Sequence, residues 1–403
     1  MSPSLRRMLG HSFLFIVFDV INKAIPFLLL PYLTHRLDTV EFGLLELFNT
    51  YVALLVLLIM FGVDGWCSAH FHKLERHIFS GMLRLGLLSI AAVFVVSMLV
   101  MMFLADDRRF IFAPLYAWGM CLIQIRAILY RFELKTIKAS MLLFLNVAVS
   151  SLLTIGAFEL MTPGLTWRLA ALLIPAVFLG AYSCHSLYRQ FSSASESSGD
   201  VKTLWAFTLP LLPNGLINFI RFGADKFLVA KFFGISQLAL FGVGYQFAMV
   251  ANIFMLSLNQ ATMPFMMKYI SSRNYSSYIR ISAFLISGLT LFIIALYILT
   301  PVMLGLFFSK HYLLSSSISY LYYFSYPMIF VSILSINLAY FNGDTKFILL
   351  ITTISSLIHV ITVFSINMIA PSIYNIPFGL LASSFVSMVL SLSYFILKLK
   401  YEK

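Results

Sequence analysis

Along the chain, apolar runs of about 20 residues alternate with short clusters of charged or turn-forming residues. Runs of this length suit helices that cross a hydrocarbon layer about 30 Å thick. They are too long for barrel strands and do not alternate polar with apolar positions. In hydrocarbon every backbone N–H and C=O must be satisfied within its own segment, which leaves the helix. The pattern therefore predicts an all-α polytopic membrane protein with about twelve transmembrane helices. They are expected at 12–34, 40–63, 81–105, 109–131, 137–159, 164–188, 203–233, 236–260, 277–300, 316–341, 346–369 and 376–397. Arg6 and Arg7 precede the first run as in a signal peptide. Asp19, Asn22 and Lys23 interrupt it, however, and no small-residue cleavage site follows, so it is expected to remain as an uncleaved first span. The seventh run is long, and Pro210 and Pro213 are expected to kink it.

Composition agrees. Hydrophobic residues make up 61% of the 403 positions and charged residues 10%, where a soluble domain carries roughly a quarter charged. The net charge of +12 would ordinarily raise the question of nucleic acid, but its placement answers it. With the N-terminus inside, about 17 lysines and arginines fall on the inner side and about 6 on the outer, the bias of cytoplasmic loops. Both termini are thus expected in the cytoplasm, with the basic loops against anionic lipid heads. Nucleic acid is not an expected partner. Cys67, Cys121 and Cys184 have neither disulfide nor metal spacing. His70, His72, Glu75 and His77 fit an amphipathic loop better than a metal site. No Walker A sequence, zinc-protease motif or nucleophile elbow occurs. No enzyme activity, cofactor or metal is expected, and an ATP-driven pump is unsupported.

The Ser-rich stretch 191–202 divides the pattern into two lobes of six helices, 1–190 and 203–403. The halves align at an offset of about 196 positions, so that Val20-Ile21-Asn22 meets Leu216-Ile217-Asn218. An even number of spans restores orientation, so the repeats are expected to be parallel, a transporter plan with substrate bound between halves.

Two stretches carry a resemblance. SFLFIVFDVINKAIPFLLLPYLTHRLDTVEFGLLELFNTY, ending at Tyr51, resembles the opening of bacterial polysaccharide transporters of the O-antigen flippase (Wzx) type. FTLPLLPNGLINFIRFGADKFLVAKFFGISQLALFGVGYQ, Phe207 to Gln246, resembles the start of their second half, as does ANIFMLSLNQATMPF, Ala251 to Phe265. That family sits in the multidrug/oligosaccharidyl-lipid/polysaccharide (MOP) exporter superfamily. The resemblance implies two six-helix lobes in a V. It also implies an undecaprenyl-pyrophosphate-linked oligosaccharide as substrate, flipped from the inner to the outer leaflet of the bacterial inner membrane. A polysaccharide polymerase and a chain-length regulator are then expected partners, beside membrane lipids.

Charges inside the spans are the remaining signal, because an ionisable group in hydrocarbon is costly unless paired or hydrated. Asp19 and Lys23, and Arg221 and Asp225, are four apart, which on a continuous helix places each pair on one face. Lys23, Arg126, Arg221 and Lys226 are candidate cations for a pyrophosphate. Arg126, near a helix end, fits a snorkelling side chain equally well. Asp19 and Asp225 are candidate carriers of a coupling proton or sodium ion. Asn22, Asn218, Tyr245, Gln246, Asn252, Asn259 and Gln260 can bond sugars, and each can equally serve as a helix–helix contact. Two rivals remain: a multidrug or cation antiporter of the MATE kind, which needs an anionic cavity, and a membrane enzyme, which the short outer loops disfavour.

Overall fold

A computed structural model describes residues 21–401 apart from 23, 106 and 192–200. Among these, every regular element is helical and no strand occurs. Eleven helical segments are long and apolar enough to cross a membrane. A further helical stretch, α1 at 21–22 and 24–36, falls on the end of the predicted first span.

By packing, the chain forms two compact units, Met1–Leu216 and Ile217–Lys403. The first contains α1, α2 (Thr39–Met60), α3 (Val63–His70), α4 (Arg76–Leu104), α5 (Ala113–Phe132), α6 (Thr136–Leu160), α7 (Leu165–Phe191) and α8 (Val201–Thr208). Asp38 starts α2, its side chain accepting from the Glu41 N–H at 2.7 Å and so satisfying an orphan donor of the first turn. The division falls inside α9 (Leu211–Phe222). Residues 201–216 go with the first unit because Leu211 packs against Gly65 and Gly215 against Leu57. The second unit continues with α10 (Asp225–Phe233), α11 (Ile235–Ser271), α12 (Tyr275–Phe307), α13 (Ser315–Asn342), α14 (Thr345–Ile369) and α15 (Pro377–Tyr401).

The internal repeat is visible in the packing. In the first unit α5 packs on α2 and α7, and α6 packs on α7. In the second, α13 packs on α11 and α15, and α14 packs on α15. In each unit the fourth span is thus central, touching the second and sixth.

Small residues allow this close approach, since lipid tails offer helices no hydrophobic reason to associate. A Cβ on Gly119 of α5 would lie 2.5 Å from the Ala176 carbonyl oxygen of α7. Serines add hydrogen bonds: Ser315 and Ser319 of α13 donate to the Leu240 and Gly244 carbonyls of α11 at 2.9 and 2.8 Å. Ser332 of α13 and Ser387 of α15 share a bond of 2.7 Å. Gly119→Val forces a branched side chain against backbone that cannot yield. It is expected to cost about 1–3 kcal/mol or more, seen as a lowered thermal midpoint of the purified protein. Gly156→Ala, with nothing within 4 Å of its Cβ, is the neutral control.

One expectation needs correction. The seventh span is not one kinked helix. It breaks twice, after Thr208 and after Phe222, giving α8, α9 and α10. Pro210 has no N–H to continue the ladder at the first break. At the second, the Gly223 and Ala224 N–H groups both turn back to the Phe219 carbonyl, at 2.7 and 3.0 Å.

Candidate functional site

The second break organises the charged residues of the second unit. With the helix interrupted between them, Arg221 and Asp225 do not form the predicted i,i+4 pair. Asp225 is 2% exposed and takes its bonds from two other helices. The Tyr322 hydroxyl of α13 donates to its Oδ2 at 2.9 Å, and Nε2 of His359 on α14 lies 2.9 Å from its Oδ1. An ionised carboxylate only accepts, so when Asp225 carries its charge the bond requires the His359 tautomer protonated on Nε2. His359 Nδ1 is buried without a hydrogen-bond partner among the described residues. It lies against α15, where a Cβ on Gly379 would come within 3.0 Å of it. Three helices are thus tied through one carboxylate.

Arg221 is also buried, at 7% exposed. Its Nε donates to Ser383 Oγ at 3.2 Å, and its Nη2 is buried with no hydrogen-bond partner among the described residues. Beside these groups lies a cavity of about 450 Å³ whose wall includes Asn218, Arg221, Asp225, Tyr245, Asn252, Tyr322 and Tyr326. Lys226 is buried, its Nζ lying 4.8 Å from the centre of the Tyr245 ring. The Tyr245 hydroxyl donates to the Phe222 carbonyl at 2.7 Å, one of the acceptors released by the helix break. A guanidinium, a carboxylate, amides and aromatic rings therefore line one internal space; Lys226 is not in its wall and lies behind it, over the Tyr245 ring. Such a space can receive an anion and hydrogen-bond a polar headgroup.

Of the predicted residues, Asn218, Arg221, Asp225 and Tyr245 line this cavity, and Asn252 joins them. Gln246 and Asn259 are half-buried on α11, outside the cavity wall. Asn22 is half-buried on α1 in the first unit. Asp19 and Lys23 lie outside the described residues. Arg126 belongs to a network of the first unit. Its Nη1 donates to Gln190 Oε1 at 2.7 Å, its guanidinium lies 3.8 Å from the centre of the Tyr130 ring, and Gln190 donates on to Glu133. Glu133 lies between spans. Burial pushes its carboxyl up, and bonds from Lys135 and Gln190 outweigh this and hold it below the usual carboxylate range.

His359 and Tyr322 were not legible as site residues from spacing. The signal for His359 was an ionisable side chain near the middle of an otherwise apolar span. Tyr322 had none, being one of 20 tyrosines.

The fold is that of the multi-pass transporters of the MOP superfamily. The chain superposes on a multidrug-resistance MATE-family transporter of that superfamily in its inward-facing conformation. The TM-score is 0.69 at 13% identity, covering 95% of this chain and 98% of the other. An outward-facing MATE structure of that superfamily gives 0.58 at 13% identity, covering 98% and 93%. Residues 9–270 match the model of the family described as polysaccharide biosynthesis protein, and residues 210–364 match that of MatE. The chain belongs to the polysaccharide biosynthesis protein family. A protein of the Lsg locus of Haemophilus influenzae is 20% identical over 265 residues, 64% of this chain and 66% of that protein. An uncharacterised membrane protein of the same organism is 21% identical over 266 residues, 64% and 65% of the two chains. The match thus spans just under two thirds of the length of these curated relatives.

Proposed function

We propose that the protein flips an undecaprenyl-pyrophosphate-linked oligosaccharide, an O-antigen or capsule-type repeat unit. Movement is from the inner to the outer leaflet of the bacterial cytoplasmic membrane. Alternating access between lobes 1–190 and 203–403 carries it, with both termini in the cytoplasm. No covalent bond is made or broken. The supporting observation is the buried Nη2 donor of Arg221, without a hydrogen-bond partner among the described residues, beside an internal cavity, in a family tied to polysaccharide biosynthesis. A pyrophosphate matches that donor and gains the nearby charge of Lys226, which offsets the cost of bringing anionic oxygens into hydrocarbon. Asn218, Tyr245 and Asn252 bond the adjoining sugar. A polymerase and a chain-length regulator act on the product at the outer face.

Deleting the gene in its host tests this. Surface polysaccharide is expected to be lost, and repeat units are expected to accumulate on lipid carrier with headgroups facing the cytoplasm. Retained display, with no accumulation and a new sensitivity to cationic drugs, would point to the second reading. That reading is a MATE-like cation antiporter, and what favours it is the Asp225 carboxylate in the cavity wall within the MatE-matching region.

A further inference from the structure

The second unit carries a two-part hollow away from the Arg221 cavity. α12 and α15 both pack on α13 and leave a groove of about 310 Å³ between them, with Val331 and Leu334 of α13 in its wall. Ile279 and Ile286 of α12 face Leu392 and Ile396 of α15 across it. Two of its hydroxyls are spent on backbone: Tyr278 donates to the Leu334 carbonyl, and Ser335 to the Val331 carbonyl at 2.8 Å. A third, Ser282 Oγ, has no partner among the described residues. The groove is thus an apolar slot. Its wall shares no residue with that of the Arg221 cavity, to which α13 presents Ser332, Ile333 and Ile336 instead.

The mouth of the slot is charged. Ile279, Ile396 and Leu399 also line a wider hollow of about 700 Å³, whose wall adds Arg273, Asn274, Ser276 and Lys400. Arg273 turns the chain from α11 into α12 in left-handed backbone (φ 54°). Its N–H and that of Asn274 close back on the Ile270 and Tyr269 carbonyls at 3.0 and 2.9 Å, which fixes Arg273 at the mouth. α12 begins here, and its first N–H groups and the positive end of its dipole add to the two cations. Asn274 Oδ1 accepts from one of these groups, the Ser277 N–H, at 3.1 Å. Among the described residues that line the hollow there is no carboxylate. The nearby Asp344 is engaged by Lys398 at 3.3 Å and by Tyr394.

The dimensions select the occupant. From Ser276 to Ile286 the hollow and slot follow α12 for roughly 15 Å, about half of a hydrocarbon layer 30 Å thick. A cationic mouth over an apolar slot one leaflet deep fits an amphiphile with an anionic head and a tail of acyl length. We infer that this is a specific site for one anionic phospholipid, its phosphate on Arg273 and Lys400 and one acyl chain between α12 and α15. A zwitterionic head brings its own cation against these two. A polyprenyl carrier has a tail much longer than the slot and no glycerol ester to accept from Ser282. With the loop charges placing this end of α12 in the cytoplasm, the lipid belongs to the inner leaflet. α13 then has lipid on one face and the polar cavity on another.

The purified full chain in detergent is titrated with phosphatidylglycerol, phosphatidylcholine or undecaprenyl phosphate, and bound lipids are counted by native mass spectrometry. One phosphatidylglycerol per chain is expected to bind about tenfold or more tightly than either other lipid. Arg273→Gln combined with Lys400→Gln, both at exposed positions, is expected to lose most of that preference. Lys400→Gln alone, at the end of α15, serves if the pair does not fold and is expected to lose about threefold. Ala283→Phe puts a ring into the slot from another exposed position. It is expected to weaken phosphatidylglycerol about fivefold with both cations intact. The inference is overturned if wild type binds phosphatidylglycerol and phosphatidylcholine equally, or if the charge variant keeps the full preference. It is also overturned if Ala283→Phe binds as wild type does, or if undecaprenyl phosphate binds as tightly as phosphatidylglycerol, which would give the hollow to the carrier. None of these outcomes bears on the flippase reading, which has its own test in surface polysaccharide.

Discussion

Arg221→Ala is expected to leave the protein folded in the membrane and to abolish surface polysaccharide display. The side chain contributes little to the fold. Its hydrogen bond to Ser383 is long, at 3.2 Å, and Ser383 keeps a second bond to the Leu380 carbonyl at 3.0 Å. Asp225 does not depend on Arg221 either, being held by Tyr322 and His359. What is lost is the unfilled donor and its charge. A hydrogen bond to a charged group contributes about 1.5–3 kcal/mol, and each 1.4 kcal/mol is tenfold in binding. Headgroup affinity is therefore expected to fall at least tenfold. Arg221→Lys keeps the charge without the planar fork and is expected to be intermediate. Quantitative immunoblots of membrane fractions, alongside surface polysaccharide staining, separate loss of function from loss of protein. Normal display in Arg221→Ala would remove the cationic site.

Asp225→Ala is expected to have the largest effect on stability. It strands the Tyr322 hydroxyl and the His359 Nε2–H, two buried donors from different helices. Each unsatisfied group costs about 1–3 kcal/mol, or roughly 2–6 kcal/mol together if the second unit does not rearrange. Asp225→Asn keeps an acceptor for Tyr322, and His359 can change tautomer to accept from the new amide. It is expected to unfold close to the wild type while lacking the charge. Thermal unfolding in nanodiscs checks both: a large drop in the midpoint for Ala and a small one for Asn. Equal drops would show that the negative charge itself holds α10, α13 and α14 together. Transport by Asp225→Asn then reports on ion coupling alone, free of the stability effect.

The contrast between these variants shows where the sequence was informative. Spans were legible because a run of about 20 apolar residues has few alternative folds. The predicted 346–369 and the observed Thr345–Ile369 differ by one residue. The packing that the two units share, with the fourth span on the second and the sixth, agrees with an alignment as thin as Ile21-Asn22 on Ile217-Asn218. The breaks were harder. Pro210 announced one. The turn at Gly223–Ala224 and the left-handed Phe61–Gly62 between α2 and α3 depend on what neighbouring helices accept, which periodicity does not encode. The site was legible to the same degree. Arg221, Asp225 and Tyr245 stood out as polar positions in apolar surroundings, but pairing by i,i+4 spacing assumed an unbroken helix. The partners of Asp225 came instead from positions 97 and 134 residues away, a tertiary fact.

The most direct test of the cationic cavity is the binding of undecaprenyl pyrophosphate and of undecaprenol to the protein in nanodiscs, for wild type and for Arg221→Ala. The two ligands share a tail and differ only in the pyrophosphate. Undecaprenyl pyrophosphate is expected to bind wild type at least tenfold more tightly than the alcohol, with Arg221→Ala losing most of that preference. Equal binding of the two ligands by wild type, or an undiminished preference in Arg221→Ala, would contradict the account.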